Sequence, residues 1–120
     1  PYAYAEILVK YAEMYNQAYI CVESNDHGSL VNHTIVKELE YDNIYSESFN
    51  DIDKIGLKTT KKSKRLGCTH FKDLLEGGKL QVYDDNTIQE ICRFEEKSGT
   101  YAASSGYNDD LVMTLVIFGY

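Results

Sequence analysis

Apolar residues fill positions 111, 112, 113, 115, 116, 117 and 118 near the end of the chain. A helix carrying them is apolar on every side, a pattern that belongs inside a fold. Asn108 reads as its N-cap, with Asp109 and Asp110 in the first turn, where the helix dipole favours negative charge. At the other end of the chain, positions 2 to 17 predict an amphipathic helix. Tyr4, Leu8, Tyr11 and Tyr15 follow helical spacing, and Ile7 and Met14 widen the same side, so the tyrosine stripe is expected to pack in the core. Positions 18 to 22 form a continuous apolar run, which predicts a strand covered on both faces. Glu23 ends it, and a polar loop follows from Ser24 to Gly28.

Ser29 is the expected cap of a helix reaching about Glu40, with Val31, Ile35, Val36 and Leu39 on its core face. Strand, loop and helix would make half of a βαβ unit. A short strand is predicted at positions 44 to 46 and a polar connector at 48 to 54. A helix then starts at Thr59 or Thr60 and runs through Phe71, Leu74 and Leu75 to the double glycine Gly77 and Gly78, interrupted by Gly67. Positions 80 to 83 alternate like a half-buried strand. Thr87 and Glu90 have capping-box spacing for a short helix through Ile91. Phe94 and Glu95 face Thr100, Tyr101 and Ala102 across a predicted hairpin turn at 96 to 99.

Composition alters this picture little. The chain has 120 residues, 43% hydrophobic and 26% charged, which suits one domain with a real core. No apolar run approaches the ~20 residues that span a bilayer, and the first segment, broken by Glu6, Lys10 and Glu13, is not a signal peptide. Opening on Pro1 and closing inside an apolar helix, the chain is expected to be a fragment of something longer. The three cysteines, Cys21, Cys68 and Cys92, are widely spaced and form no Cys-x-x-Cys pair, which points to reduced chemistry. The three histidines lack partners at ligand spacing and are expected not to bind metal.

Charge matters more. The formal net charge of -7 repels nucleic acid at long range. Yet Lys58, Lys61, Lys62, Lys64 and Arg65 fall close together, and such a strip either faces water or holds phosphates. Asp109 and Asp110 have two readings as well: caps of a core helix, or neighbouring carboxylates on a rigid element, which suit a hard divalent cation. Glu23 stands at the carboxyl end of a predicted strand, where functional groups of α/β sheets collect.

Four stretches of the chain resemble the nuclease domain of the large terminase subunit, the DNA-packaging motor protein of tailed phages, most of all the T-even type. They are Val22-Glu23-Ser24-Asn25; Gly56-Leu57-Lys58-Thr59-Thr60-Lys61-Lys62-Ser63-Lys64; Lys72-Asp73-Leu74-Leu75 with Thr87-Ile88-Gln89-Glu90; and Gly106-Tyr107-Asn108-Asp109-Asp110-Leu111-Val112-Met113. The last is the most specific, and the agreement runs from about residue 4 to 120. The resemblance implies an RNase H-like α/β fold, a mixed sheet flanked by helices, here a partial domain without its first strands. It also implies a catalytic centre of three acids and divalent metal, Mg²⁺ or Mn²⁺. Glu23 matches the strand-end glutamate and Asp110 the late aspartate, with Asp109 a neighbouring ligand or supporting group. The family's other essential aspartate would precede Pro1.

On this resemblance the expected activity is metal-dependent cutting of double-stranded DNA concatemers during genome packaging in the host cytoplasm, catalytically incomplete in this chain. Lys58, Lys61, Lys62, Lys64 and Arg65 would grip DNA phosphates. The implied partners are an upstream packaging ATPase domain, a portal protein and a small terminase subunit. The edge beside positions 18 to 22, unpaired without the first strands, would favour self-association. Two other readings compete: a nucleic-acid or protein docking module acting through 58 to 65 without catalysis, and another RNase H-like nuclease such as a resolvase or transposase core.

Overall fold

Small side chains decide which face of the first helix is buried. In a computed structural model of the chain, which describes residues 1–48 and 50–120, α1 spans Tyr2–Met14 and buries Ala5, Val9 and Ala12. The tyrosines expected in the core are outside it: Tyr4 and Tyr11 are each 54% exposed and Tyr15 73%. Ala5 and Ala12 are each one residue, about 100° of helix turn, away from a tyrosine, and Val9 lies on the same face as the two alanines. Two apolar faces therefore share this helix, with the exposed charges Glu6, Lys10 and Glu13 on the remaining side. Alanine and valine let α1 approach α2 (Gly28–Lys37) closely, a fit that tyrosines would prevent.

Among the described residues there are five α-helices and one two-stranded antiparallel sheet. After α1 and α2 come a single 3-10 turn (Ile52–Lys54), α3 (Lys61–Glu76), α4 (Asp85–Cys92), β1 (Phe94–Lys97), β2 (Thr100–Ala103) and α5 (Asp110–Gly119). The chain divides into two compact units, Pro1–Thr59 and Thr60–Tyr120.

In the first unit, left-handed Asn16 and Gln17 (φ 60° and 57°) reverse the chain after α1. The run 18–22 that follows is extended, but it is not the regular, doubly covered strand its apolar residues predict. Isolated bridges take the place of a sheet: Ile20 with Ile44 and Glu23 with Leu57 in parallel, Ser46 with Ile55 antiparallel. The pairing is mixed, as expected, yet the run changes partner between Ile20 and Val22, so no continuous ladder forms. It is also covered on one face only. Ile20 is buried, whereas Tyr19 is 60% exposed and Cys21 is exposed.

Helix α2 starts two residues earlier than the sequence suggests, with His27 rather than Ser29 at its N-cap. Val31 and Ile35 enter the core as expected. So do Asn32 and Thr34. Thr34 Oγ1 donates locally to the Leu30 carbonyl (3.0 Å), and Asn32 Nδ2 donates across 23 residues to the Ile55 carbonyl (3.0 Å), while the buried Asn32 Oδ1 has no hydrogen-bond partner among the described residues. Beyond α2, Tyr41 is buried, and its hydroxyl donates to the Ala18 carbonyl at 2.6 Å, tying the two extended segments together. The connector predicted at 48 to 54 contains the 3-10 turn capped by Asp51; its residue Phe49 lies outside the described residues.

The second unit is organised on the crossing of α3 and α5. Thr60 and Ser63 form a reciprocal capping box at the start of α3, and Gly77 closes the helix, followed by left-handed Gly78 (φ 65°). Gly67 does not interrupt α3. A Cβ there would overlap the Val116 carbonyl, and one on Gly119 would stand 2.9 Å from the Gly67 carbonyl oxygen. Glycine on both helices thus permits close backbone approach, as at other tight helix crossings. Cys68, Val112 and Val116 form the core here, with Ile91, Phe94, Tyr101 and Met113 packed around them.

Helix α5 is apolar all round, as its sequence predicts, but it is not enclosed. Only Val112 and Val116 are buried, while Phe118 is 68% exposed. Positions 80–83 do not form the expected strand: they have no strand partner among the described residues, and Tyr83 is 82% exposed. The hairpin is present with a tighter turn than predicted. Phe94 pairs with Ala103 and Lys97 with Thr100, leaving Ser98 and Gly99 at φ 53° and 76°. Two successive positive φ values match the hairpin turn whose twist suits the flanking strands.

Candidate metal and DNA site

Glu23 is held from both sides along its backbone. The Leu57 N–H donates to the Val22 carbonyl (3.0 Å), and the Ser24 N–H donates to the Leu57 carbonyl (2.9 Å). Gly28, at the start of α2, lies directly on the Glu23 carbonyl, where any Cβ would overlap it. Asn25 completes the arrangement. Its Nδ2 donates to the Thr59 carbonyl (3.0 Å), and its Oδ1 accepts from the Thr59 N–H (3.1 Å). One side chain therefore stands in for a paired strand, and the half-buried Glu23 shares a rigid frame with the segment bearing exposed Lys58. Neither Asn25 nor Gly28 was singled out by sequence reasoning. The available signal was their place in a polar loop directly after a strand-like run.

In the second unit, Asp109 rather than Asn108 is the N-cap of α5, and Asp110 is the first helical residue. The Asp109 side chain makes no capping hydrogen bond. Glu90 of α4 does that work: its Oε2 accepts the Leu111 N–H at 2.8 Å and the Val112 N–H at 3.2 Å. An anionic acceptor at a helix N-terminus satisfies orphan donors and meets the positive end of the dipole. Both aspartate carboxylates are thereby left for other partners. Asp110 is exposed, and Asp109 faces the Lys64 ammonium at 3.7 Å.

Glu90 is free for this because it is not half of a capping box with Thr87. Asp84 caps α4 instead, its Oδ2 accepting from the Thr87 N–H and the Thr87 hydroxyl, both at 2.8 Å. These bonds, the backbone one first, hold the Asp84 carboxyl below its ordinary value of 3.8. The stabilisation is thus complete above pH 3.8 and is lost as pH falls through the lower folded-state value. We expect the Thr87 amide to lose exchange protection in that acid range, and Asp84→Asn to weaken its pH dependence. Amide exchange followed by NMR checks both.

The basic strip divides by role. Lys61, Lys62 and Arg65 are exposed on the first turns of α3. Lys64 is turned inward, its ammonium beside Asp109 and 5.7 Å from the centre of the Phe94 ring. Sequence spacing groups these cations; only the fold separates the one that neutralises a carboxylate from those that face solvent. His70 Nδ1 lies 3.0 Å from the Gly119 carbonyl, a contact between α3 and the end of α5.

The carboxylates of Asp109, Asp110 and Glu23 are oxygen donors, the chemistry that Mg²⁺ and Mn²⁺ prefer. Asp109 and Asp110 belong to the second unit and Glu23 to the first. Among the described residues, no group of three or more His, Cys, Asp or Glu side chains is gathered closely enough to hold a metal ion. Each carboxylate suits a hard cation in kind, and Lys64 already offsets the charge of Asp109. No helix among the described residues is long and apolar enough to cross a membrane. Residues 1–118 match the family described as "Terminase RNaseH-like domain".

Proposed function

The chain belongs to the terminase RNase H-like domain family, and from that premise we propose that it is the nuclease part of a phage DNA-packaging terminase, hydrolysing phosphodiester bonds of double-stranded DNA with divalent metal. The observation that carries this reading is the capping of α5 by Glu90, which frees the Asp109 and Asp110 carboxylates from capping the helix. Glu23 and Asp110 would hold Mg²⁺ or Mn²⁺, and the bound metal would supply Lewis-acid stabilisation and an activated water. Asp109, paired with Lys64, would support that site and keep its local charge in check. Lys58, Lys61, Lys62 and Arg65 would contact phosphates without reading sequence, as suits an enzyme that cuts packaged DNA wherever the process stops. Substitution of Asp110, argued below, tests the catalytic assignment.

A second reading, a docking module without chemistry, is favoured by the exposure of Lys61, Lys62 and Arg65 on one stretch of α3. Under either reading Lys61→Glu with Lys62→Glu removes two phosphate contacts. The slope of log affinity against log salt concentration is then expected to fall by about 2. Fluorescence anisotropy with duplex DNA at several salt concentrations measures it, and an unchanged slope would remove the strip from the DNA interface. The readings part at Glu23→Gln and Asp110→Asn, which matter only for a nuclease.

Self-association rests on a separate feature. Among the described residues, the backbone groups of Tyr19, Cys21 and Glu23 take part in no backbone hydrogen bond, and Tyr19 is exposed beside them. Such an edge pairs readily with another copy. Sedimentation velocity is expected to show a mass that rises with concentration. A monomer at every concentration would contradict this.

A further inference from the structure

The second unit contains a cavity of about 390 Å³ between α4 and the loop leading into α5. Its wall includes Asn86, Gln89 and Glu90 from α4, Arg93 at the C-cap of that helix, and Tyr107 and Asn108 from the loop. The Arg93 guanidinium lies over the Tyr107 ring, 4.2 Å from its centre, and the ring remains 52% exposed. Leu111, the residue after Asp110, also borders the cavity.

We propose that this cavity binds a single nucleobase turned out of the DNA stack. The proposal rests on the DNA-cutting role above and adds a subsite to it. Volume sets the first limit, since about 390 Å³ is near the lower end for small-ligand sites. That suits one flat heterocycle and excludes a helix or folded peptide segment. Charge sets the second. Among the described residues the wall holds one cation, Arg93, and one carboxylate, Glu90, so the cavity has no excess positive charge to retain a bare phosphate. A neutral ligand is favoured.

Chemistry sets the third limit. The Arg93 guanidinium lies over the Tyr107 ring, and both are flat groups of the kind on which bases lie when unstacked from nucleic acid. Asn86, Gln89 and Asn108 each carry both an amide donor and an acceptor. Paired donors and acceptors are what the edge of a base presents once its own partner is gone. A base held here would bring its strand to the mouth of α5, beside Asp110. Neither the basic strip nor the carboxylates could hold a base in this way, because both act on charge.

The test compares binding of an eight-nucleotide thymidine strand with an abasic strand of equal length, by fluorescence anisotropy at low salt with EDTA present. Both strands carry the same phosphates, so their affinity ratio reports the base alone. The protein is expected to prefer the thymidine strand by about 5- to 150-fold, the range of one base–aromatic stack. Tyr107→Ala should reduce that ratio towards one and Tyr107→Phe should keep it. Lys61→Glu with Lys62→Glu should weaken both strands and leave the ratio unchanged. If Tyr107→Ala does not fold, Gln89→Ala at an exposed position of α4 is expected to lower the ratio a few-fold. Equal affinity for the two strands, or a ratio indifferent to Tyr107→Ala and Gln89→Ala, overturns the proposal. Because metal is absent, failure of the nuclease reading is seen separately, in Mn²⁺ binding by Asp110→Asn.

Discussion

Asp110→Asn is expected to lower metal-dependent DNA nicking at least 100-fold, whether in this chain or in a longer terminase subunit that contains it, and to weaken Mn²⁺ binding in parallel. The size follows from what the substitution removes. Groups that only support a metal ligand cost about 10–100-fold when lost, so a direct carboxylate ligand should cost at least the upper figure. The substitution is also structurally quiet. Asp110 is exposed, and the α5 N–H groups it might have capped are already bonded to Glu90. Thermal stability should therefore stay close to that of the parent while activity falls. Asp109→Asn should do less, because the Lys64 ammonium at 3.7 Å already offsets part of that charge. Titration with Mn²⁺ by electron paramagnetic resonance, alongside relaxation of supercoiled plasmid, reads both effects. Unchanged Mn²⁺ affinity and unchanged nicking in Asp110→Asn would remove the metal role, and with it the nuclease mechanism.

Glu90 explains both why this site was partly legible in the sequence and why it was misread in detail. Local rules work where the partner is local. The start of α3 at Thr60, the Gly77 stop and the hairpin turn at Ser98 and Gly99 all depend on residues close in the chain, and each was predicted to within a residue or two. The capping of α5 depends on a carboxylate 21 residues earlier in the chain, a separation at which spacing carries no information. Nearby Thr87 then offered Glu90 a local role that Asp84 fills instead. The loop after Glu23 has the same character: Asn25 completes it through Thr59, 34 residues away.

The buried face of α1 was obscured for another reason. Periodicity finds an apolar stripe but cannot rank two of them, and the larger side chains drew the assignment. Packing chose alanine and valine because close approach of α1 and α2 excludes tyrosine. The run 18–22 was read as doubly covered from composition alone, yet exposed Tyr19 and Cys21 alternate with buried Ile20. Family resemblance supplied an expectation that neither pattern could, a joint role for Glu23 and Asp110, which are far apart in sequence. It did not supply the cavity at Arg93 and Tyr107, which exists only once α4 and the α5 loop are brought together.

Gly67 offers the sharpest contrast between local and tertiary expectation. Helix propensity favours alanine over glycine by about 1 kcal/mol, so Gly67→Ala should stabilise α3 if the helix stood alone. Against α5 the sign reverses. The added Cβ would overlap the Val116 carbonyl and approach the Val116 side chain, and backbone cannot rotate out of the way. The helices must separate, opening space around Val112 and Val116, which are 0% and 2% exposed. Overpacking of this kind costs about 1–3 kcal/mol and sometimes more, and the lost burial adds to it. We expect Gly67→Ala to lower stability by about 2–4 kcal/mol. Gly67→Val should consume most of the ~5–15 kcal/mol that a domain has in total and leave the second unit unfolded. Lys72→Ala, at an exposed site on the same helix, should stay within ~0.5 kcal/mol of the parent. Urea denaturation followed by circular dichroism gives the ordering. A stabilised Gly67→Ala would mean that α3 and α5 do not meet backbone to backbone, and that the close crossing which places Asp109 beside Lys64 is wrong.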